Sequence, residues 1–130
     1  MPGTSAAVDT NIVIALLAGE EEVLSHFENT EQVLLPFPVK AELIFGAMNS
    51  SRPDHNLAQL NSLFARFDTV SSSPDVEYQY AEIKMGLKQK GKPIPENDIW
   101  VAACAKAAGI PLSTRDEHFD AIDGLSFLRW

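Results

Sequence analysis

The sequence predicts an α/β domain built on a mostly parallel sheet of four to five strands, with helices on both faces. Short runs of consecutive apolar residues, typical of strands buried on both faces, alternate along the chain with longer segments of helical periodicity. Proline and glycine fall where those helices should start and stop. With 130 residues, 45% of them hydrophobic, the chain has material for one core and no second, so residues 1–130 are read as a single domain.

Ser5 to Val8 is the first apolar run, closed by Asp9, and Ile12, Ile14, Ala15, Leu16 and Leu17 follow as a helix that Gly19 can end. Glu20 to Phe27 make a short amphipathic helix whose three glutamates lie at its start, where the positive end of the helix dipole favours them. Gln32 to Phe37 read as the second buried strand. Pro38 suits the first turn of the next helix, where Val39, Leu43, Phe45, Ala47 and Met48 form an apolar stripe and Glu42 lies one turn inside. Asn49 to His55 is a polar turn, after which Leu57, Leu60, Leu63, Phe64 and Phe67 recur at helical spacing.

Asp68 to Ser72 reads as a third strand. Ser73 and Pro74 form an N-cap and first helical residue for a long helix through Val76, Tyr80, Ile83 and Leu87, stopped by Gly91 and Pro93. Pro95 opens a helix to Ala108 in which Ile99 to Ala105 carry no charge, so it should be buried nearly all round, with Gly109 as its C-terminal cap. Ile110 to Ser113 is the fourth strand, Asp116 to Ile122 a loop or short helix, and Leu125 to Trp130 the last strand.

Eighteen acidic against ten basic side chains give a formal net charge of −8. Nonspecific attraction therefore cannot bring this surface to nucleic acid or anionic lipid, and any such contact must use a local basic patch. Lys84, Lys88, Lys90 and Lys92 make one, leading toward Asp98, although lysines late in a helix also simply complement its dipole. The lone cysteine, Cys104, rules out an internal disulfide framework and a cysteine-built zinc site, and in its alanine-rich helix it reads as packing. No apolar run approaches the ~18 residues of a membrane span and no basic leader precedes one. The expected location is cytoplasmic.

In a parallel sheet of this kind, the carboxyl ends of the strands share one rim, and that is where ligands bind. Asp9 follows the first strand, Asp98 lies in the first turn of the apolar helix and Asp116 lies just beyond the fourth strand. Each has an ordinary reading alone: Asp9 as an N-cap, Asp98 as a partner of the helix dipole, Asp116 as a turn residue, and Glu42 as a solvated helix side chain. Together they conflict electrostatically. At about 5 Å and an effective dielectric constant of about 20, each anionic pair repels by roughly 3 kcal/mol, so the cluster must take up protons or a cation. Oxygen donors favour Mg²⁺ or Mn²⁺ over zinc, since His26, His55 and His118 lie far apart in sequence and offer no ligand spacing. A metal-bound water of lowered pKa, with a cation on the non-bridging oxygens, is equipped for phosphodiester hydrolysis. Arg115, beside Asp116, is the best-placed phosphate contact.

Val8-Asp9-Thr10-Asn11, Glu42-Leu43, the stretch Lys92 to Ala103 around Asp98, Pro111-Leu112-Ser113-Thr114-Arg115-Asp116 and the ending Phe119 to Trp130 occur in the order and at the separations of a known family. The chain resembles a PIN-domain ribonuclease over essentially its whole length, and its size looks like that of the VapC-type toxins of bacterial toxin–antitoxin pairs. The resemblance implies a three-layer α/β/α fold, Mg²⁺- or Mn²⁺-dependent endoribonuclease activity, a homodimer, and inhibition by a small VapB-like antitoxin. Carried onto this chain, it implies Asp9, Asp98 and Asp116 as metal ligands, Glu42 as a fourth catalytic acid, and Asn11 and Thr114 as supporting hydrogen-bonding residues. Lys88, Lys92 and Arg115 are the expected RNA contacts. A solitary PIN nuclease without an antitoxin is one alternative. A non-catalytic, Mg²⁺-binding receiver-like signalling domain is another, although such a domain has paired acids after its first strand where Asp9 stands alone.

Overall fold

The computed structural model describes residues 4–130. Five strands, β1 (Ser5–Val8), β2 (Gln32–Pro36), β3 (Asp68–Val70), β4 (Leu112–Ser113) and β5 (Phe127–Leu128), form one sheet in the order β3-β2-β1-β4-β5. Every pairing is parallel. The helices α1 (Thr10–Leu17), α2 (Glu21–Asn29), α3 (Phe37–Met48), α4 (Pro53–Phe64), α5 (Pro74–Lys90) and α6 (Glu96–Ala108) flank it, and a 3₁₀ turn at Glu117–Ala121 precedes β5.

β1 is the centre of the sheet because Ala6, Ala7 and Val8 are fully buried and have small or β-branched side chains that accept neighbours on both sides. Its register with β4 sets Val8 opposite Ser113, so the two strands leave the sheet side by side, at Asp9 and Thr114. α6 packs over β1, β2 and β3 and against α3 and α5. Its buried run Ile99, Val101, Ala102, Ala103, Cys104 and Ala105 lets it lie close to the sheet, and Asp98 projects from its first turn. Burial pushes the Cys104 thiol up to about 11, as befits a packing residue.

Most element boundaries fall where the punctuation predicts. Ser73 caps α5 by accepting a hydrogen bond from the Val76 amide, and Gly91 and Gly109 end α5 and α6 with left-handed backbone at φ +66° and +69°. Five expectations are corrected. The third strand ends at Val70 and not at Ser72, because its pairing with β2 stops where Pro36 meets Val70. α4 begins at Pro53, inside the polar stretch expected to be a turn through His55, because proline at the first helical position and Asp54 in the first turn together start a helix. The fourth and last strands shrink to Leu112–Ser113 and Phe127–Leu128, since β4 pairs with β1 over two residues only and β5 with β4 likewise. The second strand stops at Pro36, and α3 takes Phe37 as its own first residue. Among the described residues, no helix is long and apolar enough to cross a membrane.

Phe119, completely buried within the 3₁₀ turn, anchors the segment between β4 and β5 to the core. Phe119→Ala is expected to cost roughly 3–5 kcal/mol in urea unfolding, whereas Phe119→Leu, which leaves a much smaller cavity, should cost clearly less.

Candidate active site

The rim begins with Asp9. It is only 6% exposed and caps α1: its Oδ1 accepts the Thr10 amide at 2.8 Å, while its Oδ2 accepts the Thr114 hydroxyl at 2.7 Å. Thr114 is fully buried and also accepts the Asp116 amide on its own Oγ1 at 3.0 Å. One hydroxyl thus joins the end of β1 to the loop after β4 and fixes the start of the Asp116 turn.

Asp98, from α6, and Asp116, from that turn, face one another across the ring of His118. Nδ1 of His118 stands 3.2 Å from Asp98 Oδ2 and 3.2 Å from Asp116 Oδ1. One ligand atom from each of the three residues lies within 4.8 Å of the other two. The Asp98 side chain is 15% exposed, that of Asp116 about a third and that of His118 about half. Glu42, from the second turn of α3, closes the group on the α1 side by accepting the Thr10 hydroxyl on Oε2 at 3.1 Å.

The electrostatics follow from burial and crowding. Burial raises Asp9 above the usual carboxylate range, opposed by its two hydrogen bonds and aided by the charges of Asp98 and Asp116. Burial likewise raises Glu42, with Asp9 and Asp98 adding repulsion, and it raises Asp98, where Asp116 adds and His118 subtracts. Three carboxyls therefore hold protons more tightly than they would in water.

The PIN domain family profile matches residues 6–125. Ribonuclease VapC2 of Haemophilus influenzae strain Rd is 32% identical over 126 residues, covering 95% of this chain and 96% of the relative. The chain belongs to the PIN-domain family and is of the VapC type. Ribonuclease VapC5 of Mycobacterium tuberculosis is 30% identical over 129 residues, with 95% and 93% covered. Among solved structures, VapBC2 from Rickettsia felis, bound to a DNA fragment from their promoter, superposes with a TM-score of 0.90 at 26% identity over 98% of this chain and 99% of that one. VapBC-1 from nontypeable Haemophilus influenzae gives 0.88 at 25% identity, with 98% of each covered. The receiver-like reading falls with this match.

Within this PIN domain, Asp98 and Asp116 meet through His118, Asp9 joins them through Thr114, and Glu42 joins through Thr10. Asn11 is tied to the rim less directly than Thr114: its Oδ1 accepts the Arg115 amide at a long 3.4 Å. The three histidines do lie far apart in sequence, as read, but the oxygen-only picture of the rim leaves His118 out, and the chain turn after β4 brings it between two of the acids. The spacing Asp116-x-His118 was the available signal, since a histidine two residues from an acid in a tight turn can share its site whatever the distance to other histidines. Arg115 stands beside the site, but its guanidinium is engaged by both Glu20 oxygens, at 2.8 and 3.3 Å, and by the Trp130 carbonyl. In the lysine patch, Lys84 pairs with Glu96, and Lys90 pairs with Asp123 at 2.7 Å. Lys88 and Lys92 are exposed and, among the described residues, form no ion pair.

A raised carboxyl pKa contributes stability that is complete below the unfolded carboxylate range and lost as pH rises through the folded value. In the presence of a chelator, Asp98→Asn should therefore stabilise the fold at pH 7.5 by about 1 kcal/mol, or roughly 3–5 °C in Tm. The gain should shrink as pH falls toward 4, measured by thermal melts across that range.

Proposed function

We propose that this chain is a metal-dependent endoribonuclease, with Mg²⁺ or Mn²⁺ as its cofactor, and the toxin of a pair whose VapB-like antitoxin blocks it. The observation that carries the reading is the meeting of Asp9, Glu42, Asp98 and Asp116, from four separate segments, at the carboxyl rim of a parallel sheet. The two relatives reported above are named ribonucleases, and the two solved structures are VapBC assemblies.

The donor set fits a hard divalent ion: carboxylate oxygens gathered from different elements, with raised proton affinities that a cation would relieve. Asp9, Asp98 and Asp116 would hold it. When bound, such an ion neutralises charge on a phosphodiester and lowers the pKa of a water. The chain's own side chains do the rest. Thr114 keeps Asp9 turned toward the rim. Glu42 has one oxygen committed to the Thr10 hydroxyl, so its other oxygen, Oε1, is the atom that takes the proton from an attacking water, and its raised affinity suits that task.

Lys88 and Lys92 are the proposed contacts for the RNA backbone, and Arg115 reaches a phosphate by exchanging Glu20 for it. A groove of about 340 Å³ between α1, α3 and α4, lined by Ile14, Leu17, Leu43 and Leu60, runs up to Glu42. It suits the apolar stripe of an antitoxin segment whose basic end would then neutralise the acids.

Asp98→Asn should abolish RNA cleavage while the chain stays folded by circular dichroism. Thr114→Val, which keeps the volume but removes the bond to Asp9, should lower cleavage roughly 10- to 100-fold. Wild-type turnover in Asp98→Asn would refute the assignment. Replacing Lys88 and Lys92 with glutamine should weaken RNA binding and flatten its logarithmic salt dependence by about 0.7 for each phosphate that is no longer neutralised; an unchanged slope would remove both lysines from the interface.

A further inference from the structure

Resting on the reading of the rim as a metal centre, we propose that His118 is itself a ligand, through Nδ1, and that this mixed nitrogen–oxygen centre favours Mn²⁺ over Mg²⁺ more than an all-carboxylate one would.

The geometry carries the inference. Nδ1 lies at the same distance, 3.2 Å, from Asp98 Oδ2 and from Asp116 Oδ1, and the three atoms form a compact triangle. A ring nitrogen carries at most one hydrogen, so it cannot serve two carboxylates linearly at once. The same spacing is natural around a metal: adjacent donors about 2.1 Å from an octahedral ion stand about 3 Å apart. A metal held by these three atoms would need little movement of His118 Nδ1 relative to either carboxylate.

The surroundings hold the ring there. The His118 amide donates to Asp116 Oδ1 at 2.9 Å, and the next residue, Phe119, is locked in the core. Among the described residues, no other side chain hydrogen-bonds the ring, and the half-exposed side chain leaves Nε2 to carry the proton in the tautomer that frees the Nδ1 lone pair. A neutral imidazole adds a ligand without adding a fourth repelling charge. It also changes the preference, since Mg²⁺ strongly favours oxygen whereas imidazole suits first-row transition metals.

The test loads the full chain with Mn²⁺ alone and records electron spin-echo envelope modulation, alongside competitive Mn²⁺ and Mg²⁺ binding by equilibrium dialysis. The wild type should show ¹⁴N coupling to the bound ion. His118→Gln, folded as judged by its melting curve, should lose that coupling, and its Mn²⁺-to-Mg²⁺ affinity ratio should fall roughly tenfold. Coupling absent from the wild type, or coupling and affinity ratio both unchanged in His118→Gln, would overturn the assignment. Asp98→Asn separates this inference from the reading beneath it. If that variant loses Mn²⁺ while His118→Gln behaves as wild type, only the histidine ligand falls; if it binds Mn²⁺ like the wild type, the metal centre at this rim falls and the histidine ligand with it.

Discussion

The hydrogen bond from the Thr114 hydroxyl to the Asp9 carboxylate joins two residues 105 positions apart, and the rim is organised around it. It exists because β1 and β4 are parallel neighbours in a register that brings Val8 opposite Ser113. An ionised carboxylate as buried as Asp9 is tolerable only if its oxygens are satisfied, and one amide and one hydroxyl do that. The same hydroxyl accepts the Asp116 amide, so the bond that makes Asp9 acceptable also sets the turn that delivers Asp116 and His118. Fold and chemistry are coupled at a single oxygen atom.

Around that point the protein concentrates negative charge rather than dispersing it. Burial and mutual repulsion act in the same direction on Asp9, Glu42 and Asp98, and the hydrogen bonds offset them only in part. The proposed metal chemistry rests on this imbalance: a rim already neutralised by lysine or arginine would have no use for a divalent ion. The positive side chains are accordingly held at its borders, with Arg115 committed to Glu20 and Arg129 to Asp120 and the Thr114 carbonyl. An acidic chain can act on a polyanion only if its few cations are placed around the site and not in it.

Much of this was legible in the chain itself. Continuous apolar runs such as Ser5 to Val8 announce strands buried on both faces, and Ser73-Pro74, Gly91 and Gly109 mark helix ends by mechanisms confined to a few neighbouring residues. Asp9, Asp98 and Asp116 could be assigned to one rim because the C-terminal ends of parallel strands share an edge. What escaped was set by partners distant in sequence. No local pattern tells that Arg115 meets Glu20, ninety-five residues away, or that the ring of His118 turns toward Asp98 on another helix. The lengths of β4 and β5 escaped for a related reason, since a strand ends where its neighbour stops pairing and not where its own apolar residues run out.

The two outer strands of the sheet, β3 and β5, are three and two residues long. Each offers so few unsatisfied amides and carbonyls that another polypeptide gains little by adding itself as a further strand. The exposed apolar side chains lie elsewhere, on the helical surfaces, where Phe45 and Met48 of α3 stand well out in solvent. The sheet edges and the exposed apolar side chains thus lie on different parts of the molecule, so a change at one need not provoke strand addition at the other.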